Sequence, residues 1–291
     1  MPADRDGILR LRDGRGLAYA EYGTPAGKPV FYFHGFPGSR LGAQIADDAA
    51  GRLGLRVIAL DRPGLGRSEF KAGRTIVDWV ADVADATDGL KIDRFAVMGH
   101  SGGGPYVAAC ALKIPQRLTA AAIVSGLGPL DVPRALDGMS RRNRLTFTLF
   151  QRLPWLTRPA MWYMARQDTE RMLSQMSADL AEPDKEVLAR PEVRAAERAD
   201  LAEAFRQGSR GPAWELRLLS RPWGFRLEDI GADIHLWHGE ADAWVPPSLA
   251  RYQARALPNS RATFLPGEGH YLLCDHIEEI LARLADFAGG G

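Results

Sequence analysis

Short, almost unbroken apolar runs alternate with amphipathic ones along this chain. Residues 30–33, 55–60, 95–98 and 120–125 are apolar at nearly every position, as strands covered on both faces require. Between them, 43–53, 75–90 and 102–113 carry apolar residues at helical spacing. This alternation predicts an α/β domain with a mostly parallel sheet. Two earlier strands, 8–12 and 17–22, flank Asp13-Gly14-Arg15-Gly16, which reads as a hairpin turn. After residue 126 the strand signal stops. Helix-period segments follow at 145–153, 159–166, 169–180, 184–189, 193–207 and 212–219. Pro154, Pro183, Pro191 and Gly208-Ser209-Arg210-Gly211 punctuate them. Strands return at 234–238 and 262–265, and a last helix is predicted over 271–287. The chain therefore divides into a first core block, 1–126, a helical segment, 127–223, and a second core block, 224–291. The helical segment is expected to cover the strand ends as a cap.

Length and composition fit this reading and narrow the function. The 291 residues are 46% hydrophobic, enough for one large core with an insertion. The formal net charge is +1, so no strong electrostatic pull toward nucleic acid or acidic membranes is expected, and no nucleic-acid partner. No run approaches about 18 uninterrupted apolar residues, so no membrane span is expected. The polar stretch Met1 to Gly7 does not read as a secretory leader, and Gly289-Gly290-Gly291 reads as a frayed tail. The two cysteines, Cys110 and Cys274, read as buried thiols in a reducing, cytoplasmic setting. No Cys or His cluster has ligand spacing, so no metal is expected.

The chemistry concentrates in Gly99-His100-Ser101-Gly102-Gly103. It has the form G-x-S-x-G, preceded by a strand and followed by a helix, the setting of a nucleophile elbow. Serine is a weak nucleophile and needs a base, oriented in turn by a third group. His270 follows Gly267-Glu268-Gly269 after one late strand, and Asp242 follows Gly239-Glu240-Ala241 after another. Both can reach the sheet edge that Ser101 occupies, where open α/β sheets place ligands. Ser101, His270 and Asp242 are thus the candidate nucleophile, base and orienting acid, with Glu240 and Asp131 as alternative acids. The oxyanion needs fixed N–H donors. Gly102 is one candidate and Phe36, in His34-Gly35-Phe36-Pro37-Gly38, is the other. Pro37 has no N–H to offer. His34, His100, Trp162, Trp244 and Tyr271 are candidates for the pocket wall. Arg141, Arg142 and Arg144 read as a solvated helix face, or as a clamp for a substrate carboxylate.

These stretches, with Asp61-Arg62-Pro63-Gly64-Leu65-Gly66-Arg67-Ser68, resemble the α/β-hydrolase fold family over roughly 8–126 and 225–288. The resemblance implies an eight-stranded, mostly parallel sheet and cofactor-independent hydrolysis through an acyl-enzyme. It gives the Asp61 to Ser68 loop a structural role. Haloalkane dehalogenases and epoxide hydrolases carry Asp where this chain has Ser101. Carbon–carbon hydrolases and haloperoxidases usually carry Met where it has Gly103, and proline iminopeptidases Trp where it has Gly102. The expectation is a serine hydrolase of small or medium apolar esters, lactones or thioesters, acting as a monomer or homodimer. Amide, carbon–carbon bond or perhydrolase chemistry on the same residues is one alternative. A non-catalytic ligand-binding protein is another.

Overall fold

The computed structural model describes residues 5–287; residues 1–4 and 288–291, including the Gly289–Gly291 tail, lie outside them. Eight strands form one sheet in the order β1-β2-β4-β3-β5-β6-β7-β8. They are β1 (Asp6–Arg10), β2 (Gly16–Gly23), β3 (Lys28–Phe33), β4 (Leu55–Leu60), β5 (Phe95–His100), β6 (Leu118–Val124), β7 (Ile234–Gly239) and β8 (Ser260–Leu265). Only β2 runs antiparallel to its neighbours β1 and β4, and β3 to β8 pair in parallel. The predicted hairpin is therefore β1–β2, and the apolar runs are the central strands.

Parallel strands need helices on both faces. One face is covered by α2 (Trp79–Gly89), α3 (Gly104–Lys113) and α10 (Pro247–Ala256). There the Trp79 ring stands edge-on to Phe33 at 5.6 Å and to Tyr106 at 6.0 Å. The other face, with its many alanines, lets α1 (Asp47–Arg52) and α11 (Leu273–Phe287) approach closely. Two predicted helices are shorter than their periodicity. Residues 43–53 divide into a 3₁₀ segment, Arg40–Ala46, and α1, because Ser39 caps the turn and the Arg40 side chain is drawn inward to Asp61. In 75–90 the helix starts at Trp79, because Thr75 and Asp78 bond each other in a separate turn.

Between β6 and β7 lie α4 (Arg141–Arg152), α5 (Thr157–Met164), α6 (Thr169–Ser177), α7 (Glu182–Leu188), α8 (Pro191–Ala204) and α9 (Arg210–Leu219). Their apolar faces form a third cluster that reaches into the α/β part through Leu65 and Tyr271. Among the described residues no helix is long and apolar enough to cross a membrane.

Candidate active site

The parallel register brings several loops to one edge. Phe33 pairs with Gly99, His100 with Val124, and Gly239 with Leu265, so the chain leaves β3, β5, β7 and β8 on the same side. Ser101 follows β5 at once, with φ +52°, in the left-handed region that L-residues avoid. The glycines around it are sterically required. A Cβ on Gly99 would lie 2.6 Å from the Gly103 carbonyl oxygen, and one on Gly103 2.1 Å from that of Phe33. A wall-to-wall turn of this kind presents the serine at the sheet edge.

Asp242 and His270 meet there. His270 Nδ1 lies 2.7 Å from Asp242 Oδ2, and both residues are buried. The other carboxylate oxygen accepts the N–H groups of Trp244 and Val245, each at 2.9 Å. Burial alone would raise the Asp242 pKa, but the neighbouring His270 and these hydrogen bonds hold it below the usual carboxylate range. Burial works to lower that of His270. The charge and hydrogen bond of Asp242, with Asp184 and Glu197 farther off, outweigh it and raise the imidazole above its ordinary value. Glu240 takes no part, since it pairs with Arg251 at the surface, and Asp131 is exposed.

Ser101 and His270 line one cavity of about 400 Å³. The described residues offer the serine hydroxyl no hydrogen-bond partner, as is common where such a bond tightens only around substrate. A Cβ on Gly102 would sit 3.3 Å from the Phe36 nitrogen, so the two backbone donors proposed for the oxyanion are neighbours. The Phe36 N–H has no acceptor among the described residues.

Of the five wall candidates, His100, Trp244 and Tyr271 line the cavity. The Trp244 ring is 5.2 Å from that of His270. Burial and then the nearby His270 push His100 down to about 3, so its neutral Nε2–H donates to the His270 carbonyl, 3.2 Å away. His34 and Trp162 do not line it. His34 is buried under the loop after β3, where its Nε2 accepts the Arg62 N–H at 3.3 Å. Trp162 points outward, 52% exposed, beneath the Arg166 guanidinium. Arg141, Arg142 and Arg144 are exposed and also lie outside the cavity wall, which leaves the carboxylate clamp without support.

Several polar residues of the helical segment were not singled out from sequence. Glu197 and Asp200 of α8 line the cavity; Glu197 accepts the Tyr271 hydroxyl at 3.2 Å, and burial pushes Asp200 up to about 8. Asp184 of α7 accepts the Tyr271 N–H at 2.8 Å, pinning the loop that carries His270. Glu215 of α9 is fully buried. It accepts Arg62 Nε at 2.7 Å, the Tyr106 hydroxyl at 2.8 Å and the Arg74 guanidinium. Arg62 in turn donates to the carbonyls of His34 and Gly35 at 2.6 and 2.8 Å, fixing the loop that carries Phe36. The legible signal was an acidic residue among the apolar positions 212, 213, 216 and 219, a pattern that implies a buried pair. In the Asp61 to Ser68 loop, Asp61 accepts the N–H groups of Arg40 at 2.6 Å and Arg67 at 2.8 Å.

Known proteins agree with this architecture. The family model described as the alpha/beta hydrolase fold matches residues 28–277, and the chain belongs to that family. It is 35% identical over 134 residues to a non-heme chloroperoxidase of Streptomyces lividans, covering 43% of this chain and 46% of that protein. It is also 35% identical over 120 residues to a proline iminopeptidase of Xylella fastidiosa, covering 39% and 37%. Each match thus spans less than half of the relative's length. Among solved structures, a hydrolase from Pseudomonas aeruginosa PA01 superposes with a TM-score of 0.75 over 99% of this chain and 100% of its own, at 19% identity. The names of the relatives span haloperoxidase, peptidase and esterase/perhydrolase.

Proposed function

We propose that this chain is a serine hydrolase of small or medium carboxylic esters with apolar or neutral acyl groups. The observation that carries the reading is the buried Asp242–His270 pair in the wall of the cavity that Ser101 enters from its turn. In the proposed sequence, His270 Nε2 takes the Ser101 proton as Oγ attacks the ester carbonyl. The oxyanion is held by the N–H groups of Phe36 and Gly102. The imidazolium gives its proton to the departing alcohol, leaving an acyl-serine. Water, activated by the same nitrogen, releases the acid and restores the serine. Asp242 stays ionised and holds the imidazole with its proton on Nδ1. The segment 127–223 acts as the cap, with Met176, Val193 and Ala196 supplying apolar wall.

The test is turnover of a p-nitrophenyl ester series from acetate to long acyl chains. Ser101→Ala should keep its fold and lose at least about a thousandfold in rate. A pure Ser101→Ala sample that still turns over at the wild-type rate would overturn the assignment. No turnover on any ester by a folded wild type, together with no labelling of Ser101 by a fluorophosphonate, would favour a binding protein.

A further inference from the structure

The outer side of the helical segment carries a second pattern, outside the cavity wall. From residue 138 to 167 the sequence holds six arginines and no Asp, Glu or Lys, so this stretch is +6 in a chain of net +1. All six, Arg141, Arg142, Arg144, Arg152, Arg158 and Arg166, are exposed. None pairs with a carboxylate among the described residues. Arginines elsewhere, such as Arg40, Arg56, Arg117 and Arg190, do. Apolar side chains stand among these charges. Leu145 is 68% exposed, Trp155 63%, Trp162 52% and Tyr163 56%.

The two sets share faces. At 100° per residue, Arg141, Arg142, Leu145, Leu149 and Arg152 of α4 fall within an arc of about 100°. The opposite side of α4 buries Phe150. On α5 and just beyond it, Arg158, Trp162 and Arg166 follow at intervals of four, and the Arg166 guanidinium lies 3.5 Å over the Trp162 ring. Exposed Trp155 lies in the connection between the two helices.

We propose that this face docks on an anionic lipid bilayer. Leucine and tryptophan enter the interfacial layer, where an aromatic ring with one polar edge is at home. The unpaired guanidiniums meet lipid phosphates, which they can bind through two parallel hydrogen bonds. A symmetric pairing with a second copy is opposed by the charge, since two basic faces would meet. The face is tied to the cavity, because Arg142 donates to the carbonyl of Gln175, beside the cavity-lining Met176. The proposal does not rest on the catalytic reading.

The experiment is co-sedimentation of the full chain with phosphatidylcholine vesicles, with and without phosphatidylglycerol. Partitioning should be at least about tenfold stronger with the anionic lipid and should fall as salt rises. The triple variant Arg141→Gln, Arg142→Gln, Arg152→Gln should lose about tenfold or more. Trp155→Ser with Trp162→Ser should weaken binding severalfold at an unchanged melting temperature. Equal partitioning onto both vesicles, or none, overturns the proposal. So does a wild-type dimer in light scattering that the tryptophan variant dissolves, which would give the face to a second copy.

Discussion

His270 holds its proton more tightly than a free imidazole, and the proposed reaction needs it neutral. Activity should therefore rise with pH through a limb above the ordinary histidine value of 6.5, as Asp242 supports the protonated form. Asp242→Asn removes that support. The limb should move to lower pH, and the maximal rate should fall about 10⁴-fold because the imidazole loses its fixed tautomer. A pH series of kcat/KM on one ester reads both; a limb that stays in place would remove Asp242 from its role. Much of this was legible at the level of single residues. Gly99 and Gly103 announced the turn, and the strand-end positions announced Asp242 and His270. What separates Asp242 from its neighbour Glu240 is not in the spacing. One side chain turns in to two N–H groups and an imidazole, the other out to Arg251. Trp162 was misplaced for a related reason. Met161, Trp162, Tyr163 and Met164 are all large and apolar, so their pattern does not say which face of α5 is inward.

Among the elements, α9 does more than cover the sheet. Glu215 on it is the shared acceptor for Arg62, Arg74 and Tyr106, all buried. Burial alone would raise its pKa, but the two guanidiniums hold it down at about 2. A carboxylate lowered in the fold stabilises it fully above its unfolded value near 4.5, and that stabilisation is lost as pH falls toward about 2. Glu215→Gln should cost about 3–5 kcal/mol at neutral pH, since it strands buried guanidinium charge. It should also flatten the loss of stability across that acid window. Urea midpoints of both proteins at several pH values measure the two effects, and equal midpoints at pH 7 would show that the pairing contributes no net stability. The helix itself was foreseen over 212–219 from its apolar period. Its charged centre was not, because periodicity records which face is inward and not what a polar residue there will meet.

For the molecule as a whole, the cavity has a sign. Asp47, Asp48, Glu192, Glu197 and Asp200 line it and, among the described residues, no Lys or Arg does; Asp200, pushed up to about 8 by burial, keeps its proton at neutral pH and leaves the negative charge to its neighbours. An acyl group that ends in a carboxylate should then be a poorer substrate than its neutral analogue. We expect kcat/KM at least about tenfold lower, with the gap narrowing as salt screens the repulsion. Matched values for the two esters at low salt would remove the charge of the wall as a determinant. The α/β architecture and the run of helices between β6 and β7 were readable from the change of period along the chain. The charge of the cavity was not, because Asp47, Asp48, Glu192, Glu197 and Asp200 come from two distant segments that only the fold brings together. The Glu215 pairing also bears on how such proteins can be recombined. Helical segments of this kind invite transplantation, as if each were a cartridge fitted to a common base. Here the base carries two buried guanidiniums whose counter-ion belongs to the cartridge. A graft that lacks an acid at the position of Glu215 would arrive with its host already unbalanced, and the first strand loop to feel it would be the one that carries Phe36. A chimera built on this chain must therefore exchange Arg62, Arg74 and Tyr106 together with α9.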